Sequence, residues 1–451
     1  MNVIVIVVDT LRWDHLGYNG NKQIRTPAID AFARRAAIFD RAYVASFPTV
    51  PMRTDCFTGN CNFPRYGWKK LGEDEVLLTE VLREAGYYTG LVLDTTNMVP
   101  TDFPRGFHEV HVIEKPPTNT TDPETIVHPV DPKNIRQGGK QRARQMANMS
   151  HFRHEEDWFV ARTMCTACQW LQENYKRERF FLWVDTFEVH EVWYTPEYYV
   201  EMYDPGYEGL DYDFPNYGYA DIYTEKELNH MRAHYMAEVT LTDRWVGHLL
   251  RQIEVMGLLE NTMVVFLSDH GMSLGEHNRT GKHTVDPSDP WPIYEEVARI
   301  PLLVHIPGLT RPAQHISALA QPADLMPTIL DVCGVVGPET YGRSWVPLII
   351  GETSKNWDYV FTSIHNGGGE GDIPIVRSYA TVTSQRWSYI AAQEGHPPEL
   401  YDLRADPGQL NNIAREHPDV ARRMQEELVR FLREQGAKES YVALYEGQLA
   451  E

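Results

Sequence analysis

The chain is short of cysteine, of positive charge and of long apolar runs, and each shortage excludes something. Five cysteines in 451 residues, an odd number without a regular framework, exclude a disulfide-stapled design and point to a reducing compartment. Cys165 and Cys168 form a lone CxxC inside the helical-looking run 156 to 175 and read as helix packing rather than a redox or zinc site, because no partner CxxC exists. No run of about 18 apolar residues is present, so nothing is expected to span a membrane. The apolar stretch Val3 to Val8 is too short for a signal-peptide core and has neither a basic leader nor a cleavage site, so it reads as a buried first strand. The expected location is the cytoplasm, where the sequons at Asn119 and Asn148 carry no meaning. With 42 Lys+Arg against 63 Asp+Glu the net charge is -21, which argues against nucleic acid or an anionic membrane as partner. An acidic chain still binds a small anion where a metal supplies local positive charge.

What the sequence does contain is a recurring pattern of apolar strands that end in polar residues. Val3 to Val8 stops at Asp9-Thr10, Tyr87 to Leu93 at Asp94-Thr95-Thr96-Asn97, and Met263 to Leu267 at Ser268-Asp269-His270. In open α/β sheets ligands collect at the carboxyl ends of strands. Between these strands the spacing predicts helices from Thr26-Pro27 to about Ala37, over 74 to 85 and from Trp158 to Tyr175, with strands at Ile38 to Ala45 and Phe180 to Phe187. Two stretches break the rhythm. Residues 114 to 150 read as an inserted loop that serves a subunit contact in a homo-oligomer, and 196 to 225, dense in tyrosine and acid, as a lid or an aromatic-stiffened loop.

The stretch Ser46-Phe47-Pro48-Thr49-Val50-Pro51-Met52-Arg53 presents one hydroxyl between two prolines, with an arginine one helical turn later. A short helix is expected to start just after Thr49, its N-terminus favouring an anion there, and Arg53 to bind an oxyanion or steady a metal-bound alkoxide. Asp9, Asp269 and His270 are the candidate ligands of a divalent cation, with Thr49 and Thr10 as further oxygens. Lys282 is a candidate for non-bridging oxygens, and His190 or His283 for protonating a leaving group.

Together these residues carry a resemblance to the sulfatase branch of the alkaline phosphatase superfamily. It rests on Val7-Val8-Asp9-Thr10-Leu11-Arg12-Trp13-Asp14-His15-Leu16-Gly17, Thr26-Pro27-Ala28-Ile29-Asp30, Thr49-Val50-Pro51-Met52-Arg53, and the run from Ser268 to His277. Arg299 to Val304, Asp324 to Thr328 and Glu399 to Leu403 follow in the same order. The resemblance implies an α/β fold, an alkaline phosphatase-like three-layer sandwich with a large mixed sheet over residues 1 to 350. It also implies a smaller carboxyl-terminal α+β domain over 351 to 451, with an antiparallel sheet and a closing helix at Pro418 to Gln435.

Departures from the family pattern set the functional expectation. Sulfatases carry at position 49 a Cys or Ser that is oxidised to formylglycine; threonine is a secondary alcohol, so no formylglycine is expected and Thr49 acts unmodified. Thr10 stands where a second aspartate is usual, and His270 where many members carry asparagine. The imidazole moves the expected single ion toward Mn²⁺, Zn²⁺ or Fe²⁺, with Ca²⁺ or Mg²⁺ less suited. A second ion would need further ligands such as Asp185, His190 and His283. The usual Gly-Lys-Trp-His segment is replaced by Leu93 to Asn97, leaving Asn97 as a neutral donor to substrate. These features lead to an expected hydrolase of phosphodiesters or phosphonate monoesters with Thr49 as nucleophile. A sulfuric ester hydrolase and a degenerate anion-binding protein are the alternatives.

Overall fold

The computed structural model describes residues 1–114, 122–123, 126, 130–283, 289, 291–364, 379–392 and 397–446. Its first strand explains why the rest assembles. β1 (Asn2–Val8) is Val/Ile-rich, buried at every position, and has apolar partners on both faces. Ile4, Ile6 and Val8 face one core; Val3, Val5 and Val7 face another. A strand wanted on both sides ends up in the middle of a sheet between two helical layers.

The sheet has nine strands. After β1 come β2 (Ala37–Tyr43), β3 (Tyr88–Leu93), β4 (Glu109–Val112), β5 (Phe180–Thr186), β6 (Thr262–Ser268), β7 (Arg299–Ile300), β8 (Leu302–His305) and β9 (Gln314–Ala320). β1 lies parallel between β5 and β6, β3 lies parallel to β5, and β4 to β3. β8 runs antiparallel to both β6 and β2, so the sheet is mixed, as the family resemblance implies. The register sets Val8 opposite Ser268 and Val7 opposite Asp185, so polar residues at or just past three adjacent strands share one rim.

The main helices are α1 (Pro27–Ala33), α2 (Thr49–Thr58), α3 (Leu78–Glu84), α4 (Lys140–Met149), α5 (Phe159–Asn174), α6 (Glu225–Val255), α7 (Leu325–Cys333) and α8 (Pro418–Glu434). The carboxyl-terminal part is a four-stranded antiparallel sheet of β10 (Val360–Thr362), β11 (Thr381–Thr383), β12 (Trp387–Ile390) and β13 (Glu399–Asp402), closed by α8. No helix of the described residues is long and apolar enough to cross a membrane.

Three local expectations are corrected. The helix expected over 74 to 85 begins only at Leu78, because Glu75 folds back to accept from Gly72 N at 2.8 Å and Leu77 is extended. α1 stops at Ala33, where the chain turns through Arg35 N to Phe32 O. The stretch read as a loop from 114 to 150 contains α4, tied down by the paired contacts of Arg142 Nε and Nη2 with the Asp213 carboxylate. The sequon at Asn148 falls on this helix and is buried, whereas Asn119 lies outside the described residues.

Candidate active site

Asp9 follows β1, Asp269 and His270 follow β6, and Asp185 is the penultimate residue of β5. All four are fully buried, as is Arg53 on the second turn of α2. Arg53 Nε and Nη2 donate to the two oxygens of Asp185 at 2.8 Å each, and Nη1 donates to Asp269 Oδ2 at 2.7 Å and to the Thr49 carbonyl at 3.0 Å. Nη2 also lies 3.3 Å from Asp9 Oδ2. Four hydrogen bonds to protein and the ion pair with Asp9 surround the guanidinium, which corrects its expected role: Arg53 organises carboxylates. Asp185, considered only as a ligand for a second ion, is Arg53's bidentate partner, held in turn by Thr95 Oγ1 at 2.6 Å and Trp183 Nε1 at 2.9 Å.

The remaining lone pairs converge. Asp269 Oδ1 accepts from the backbone N–H groups of Thr10 and His270, both at 2.8 Å, and Asp9 Oδ1 accepts from Thr10 Oγ1 at 2.7 Å. His270 Nδ1 lies 2.9 Å from the Gly271 carbonyl, so it carries the ring proton and leaves a lone pair on Nε2. Among the described residues, Asp9 Oδ2 and His270 Nε2 are buried without a hydrogen-bond partner. Asp9, Asp269 and His270 each offer a ligand atom within 4.8 Å of the others, and His270 Nε2 is 3.6 Å from Asp269 Oδ2. Buried polar atoms orphaned together fit the donor set of a cation. Burial and the neighbouring Asp269 push the Asp9 carboxyl well above its ordinary range, and burial lowers His270 to about 3, keeping the imidazole neutral. The neutral imidazole suits metal ligation, and the proton that burial favours on Asp9 leaves as a cation binds.

Thr10 is bound into this network rather than standing free as a ligand. Its hydroxyl donates to Asp9 and accepts from Lys282 Nζ at 3.1 Å, and its φ of +60° is uncommon for a β-branched residue. Tyr235 Oη donates to the Thr10 carbonyl at 2.8 Å and accepts from Arg12 N at 2.9 Å, which fixes that turn. Lys282 is buried with Glu191, Asp9 and Asp269 as its electrostatic neighbours.

Thr49 is the first residue of α2, one position earlier than the helix was expected to start, and is buried at the rim. The segment leading to it passes across the cluster, with the Phe47 ring 4.8 Å from His270 and 6.5 Å from His283 between centroids. His190 stacks on Phe187 at 4.1 Å, and its Nδ1 donates to the Glu191 carbonyl at 2.7 Å. Burial, aided by the Lys282 and Arg136 charges, holds His190 far below the usual imidazole range, so in the resting protein the ring is neutral. Glu191, absent from the sequence reading, receives Arg136 Nη1 at 2.7 Å and the Tyr217 hydroxyl. Burial opposes its charge, but His190, Lys282 and Arg136 bring its pKa to about 2. Asn97 is exposed on a 3₁₀ turn and joins none of these contacts; Asp94 and Thr95 take the inward positions. Asp94 accepts from Thr163 and Thr186 at 2.8 and 3.0 Å and lines a cavity of about 40 Å³ with His190 and Gln145.

A family model described as Sulfatase matches residues 1–335, and one described as N-sulphoglucosamine sulphohydrolase, C-terminal, matches residues 288–435. The arylsulfatase K of Gallus gallus is 25% identical over 463 residues, covering 93% of this chain and 80% of the relative. An arylsulfatase of Clostridium perfringens is 23% identical over 458 residues, covering 91% of this chain and 90% of the relative. The phosphonate monoester hydrolase of Agrobacterium radiobacter has a similar structure, with a TM-score of 0.75, 21% identity, and coverage of 96% and 95%. At that identity the structural likeness shows the fold alone, whereas the relatives matched along almost the whole sequence are arylsulfatases. The expectation of phosphodiester or phosphonate ester hydrolysis is thereby corrected in favour of its sulfuric ester alternative. Sulfate monoesters and phosphodiesters both present one negative charge, so charge alone does not separate them at a single-cation site.

Proposed function

Because the chain belongs to the sulfatase family and is a hydrolase acting on ester bonds, we propose that it cleaves a sulfuric ester at the rim formed by Asp9, Thr49, Asp269, His270 and Lys282. The observation that carries this reading is the orphaned pair Asp9 Oδ2 and His270 Nε2 beside Asp269, in a chain whose relatives are arylsulfatases. With their carboxylates ionised, Asp9, Asp185 and Asp269 outweigh Arg53 and Lys282 by one negative charge, and a divalent cation would leave the site positive by one, which suits any singly charged ester; the arylsulfatase relatives favour sulfate among these.

Asp9, Asp269 and His270 would hold that cation. Two carboxylates and an imidazole favour Mn²⁺, Zn²⁺ or Fe²⁺. Such an ion supplies positive charge near the sulfuryl oxygens and eases loss of a hydroxyl proton. Lys282, kept in place by Thr10, binds a non-bridging oxygen. Thr49 Oγ1 forms a bond to sulfur as the bond from sulfur to the leaving oxygen breaks. Neutral His190 is the acceptor for the threonine proton, and His283 the group that returns one to the leaving alcohol. Water then attacks the sulfothreonine at sulfur and frees Thr49.

The test is turnover of 4-nitrophenyl sulfate with Mn²⁺ or Zn²⁺ beside Thr49→Ala and a 4-nitrophenyl phosphodiester. Sulfate hydrolysis that falls by about 10³-fold or more in Thr49→Ala supports the reading. Preference for the phosphodiester, or full activity in the variant, overturns it.

A further inference from the structure

A second cluster of ligand-type side chains lies away from this rim, where the 196–225 segment packs on α6. His230 and His234 stand one turn apart on that helix, and Asp211 reaches them from the preceding segment. His230 Nε2 is 3.0 Å and His234 Nε2 is 3.6 Å from the same oxygen, Asp211 Oδ1, and ligand atoms of all three residues fall within 4.8 Å of one another. On the far side of His230, Nδ1 lies 2.9 Å from Asp204 Oδ2. That contact places a ring proton on Nδ1, the carboxylate–histidine arrangement that orients metal-bound imidazoles, while the proton that Nε2 shares with Asp211 is the one a cation would displace. The Tyr207 ring lies flat on His230, with centroids 3.6 Å apart and planes 8° apart, which limits ring rotation.

The independent observation is His234. Both of its ring nitrogens are buried, and neither has a hydrogen-bond partner, although Nε2 faces the cluster. A buried imidazole nitrogen left without a partner is destabilising. A cation between the two Nε2 atoms and Asp211 gives the His234 Nε2 a partner. The cluster opens on a cavity of about 530 Å³ lined also by Arg142, Trp193 and Asp204, so a water or an anion has room to complete the coordination.

We propose that Asp211, His230 and His234 form a second divalent-metal site, of the two-histidine, one-carboxylate kind suited to Zn²⁺, with Asp204 as the residue that positions His230. The site is independent of the sulfuric ester reading. Its effect is mechanical: it staples the segment that carries Tyr217, which bonds Glu191, to the helix that carries Tyr235, which bonds the Thr10 turn.

The experiment is Zn²⁺ titration of the chelator-treated full chain by calorimetry, with bound metal counted after gel filtration, in wild type, Asp211→Asn, Asp204→Asn and Asp269→Asn. Asp211 is exposed, so its substitution spares the core. Wild type is expected to bind two equivalents, Asp211→Asn and Asp269→Asn one each, and Asp204→Asn to bind the second equivalent about 10- to 100-fold more weakly. A wild type with one equivalent, lost in Asp211→Asn, still supports this site while counting against the rim. Stoichiometry and affinities unchanged in Asp211→Asn overturn the proposal, as does a wild type that binds no Zn²⁺.

Discussion

At the scale of single residues, Arg53 is where burial and charge meet most directly. Three buried carboxylates share one guanidinium, and two of its contacts to Asp185 use the planar fork that only arginine provides. Removing one member of a buried ion cluster strands the others, at about 3–5 kcal/mol. Arg53→Met is therefore expected to lower stability by that amount in denaturant unfolding, with Arg53→Lys recovering little because an ammonium cannot span Asp185 and Asp269 together. An Arg53→Lys variant as stable as wild type would contradict the bidentate account. Glu191 makes a pH-dependent prediction. Its pKa is near 4.5 when unexposed to partners and about 2 when folded, so the folded state favours its charged form. The resulting stability, about 3 kcal/mol, is fully present above pH about 4.5 and is lost as pH falls toward 2. The stability gap between wild type and Glu191→Gln should thus narrow steadily from pH about 5 to pH about 3. A constant gap would show that Glu191 acts through packing alone.

At the scale of elements, what was legible and what was not divides along one physical line. β1, β5 and β6 could be read because strands buried on both faces need unbroken apolar runs, and their polar stops at Asp9 and Asp269 mark the rim. The Asp9, Asp269 and His270 set, which the structure brings together, was legible by type. Their partners were not: Arg53 was given to an anion because nothing in the sequence shows that Asp185, 132 positions away, fills its fork. α4 was missed for the same reason, its anchor Asp213 lying 71 positions on. The His230 and His234 pair had a visible signal, two histidines four apart on a long helix, which went unread. The turn after β6 also carries a prediction. A Cβ on Gly271 would meet the Glu296 carbonyl oxygen at 2.0 Å and Arg12 Cγ at 3.1 Å, and backbone cannot yield as a side chain does. Gly271→Ala should push the neighbouring His270 out of line, so metal affinity measured at the rim falls at least about 10-fold. Retained affinity would mean that the turn relaxes elsewhere.

At the scale of the whole molecule, the carboxyl-terminal sheet braces the segment that carries Thr49, the proposed nucleophile. Its core takes Ala45, Cys61 and Phe63 from the large part of the chain and packs them with Leu428 and Phe431 of α8. Phe431 stacks on Phe361 of β10 with centroids 4.0 Å apart. Two residues further, Ser363 N donates to the Ala45 carbonyl and Phe47 N donates to the Ser363 carbonyl, both at 3.0 Å. Phe47 in turn covers His270, and Thr49 begins α2 two residues later. A contact on α8 is thus linked to the site through packed rings and three consecutive backbone positions, with no side chain of α8 reaching the rim. Phe431→Ala should cost about 3–5 kcal/mol of stability. If the brace sets the position of Thr49, sulfate-ester turnover measured well below the unfolding midpoint should also fall, in kcat more than in KM, because a displaced nucleophile weakens the transition state while Lys282 still holds the substrate. A variant destabilised to that extent but with unchanged kcat would reduce the carboxyl-terminal sheet to a source of stability alone.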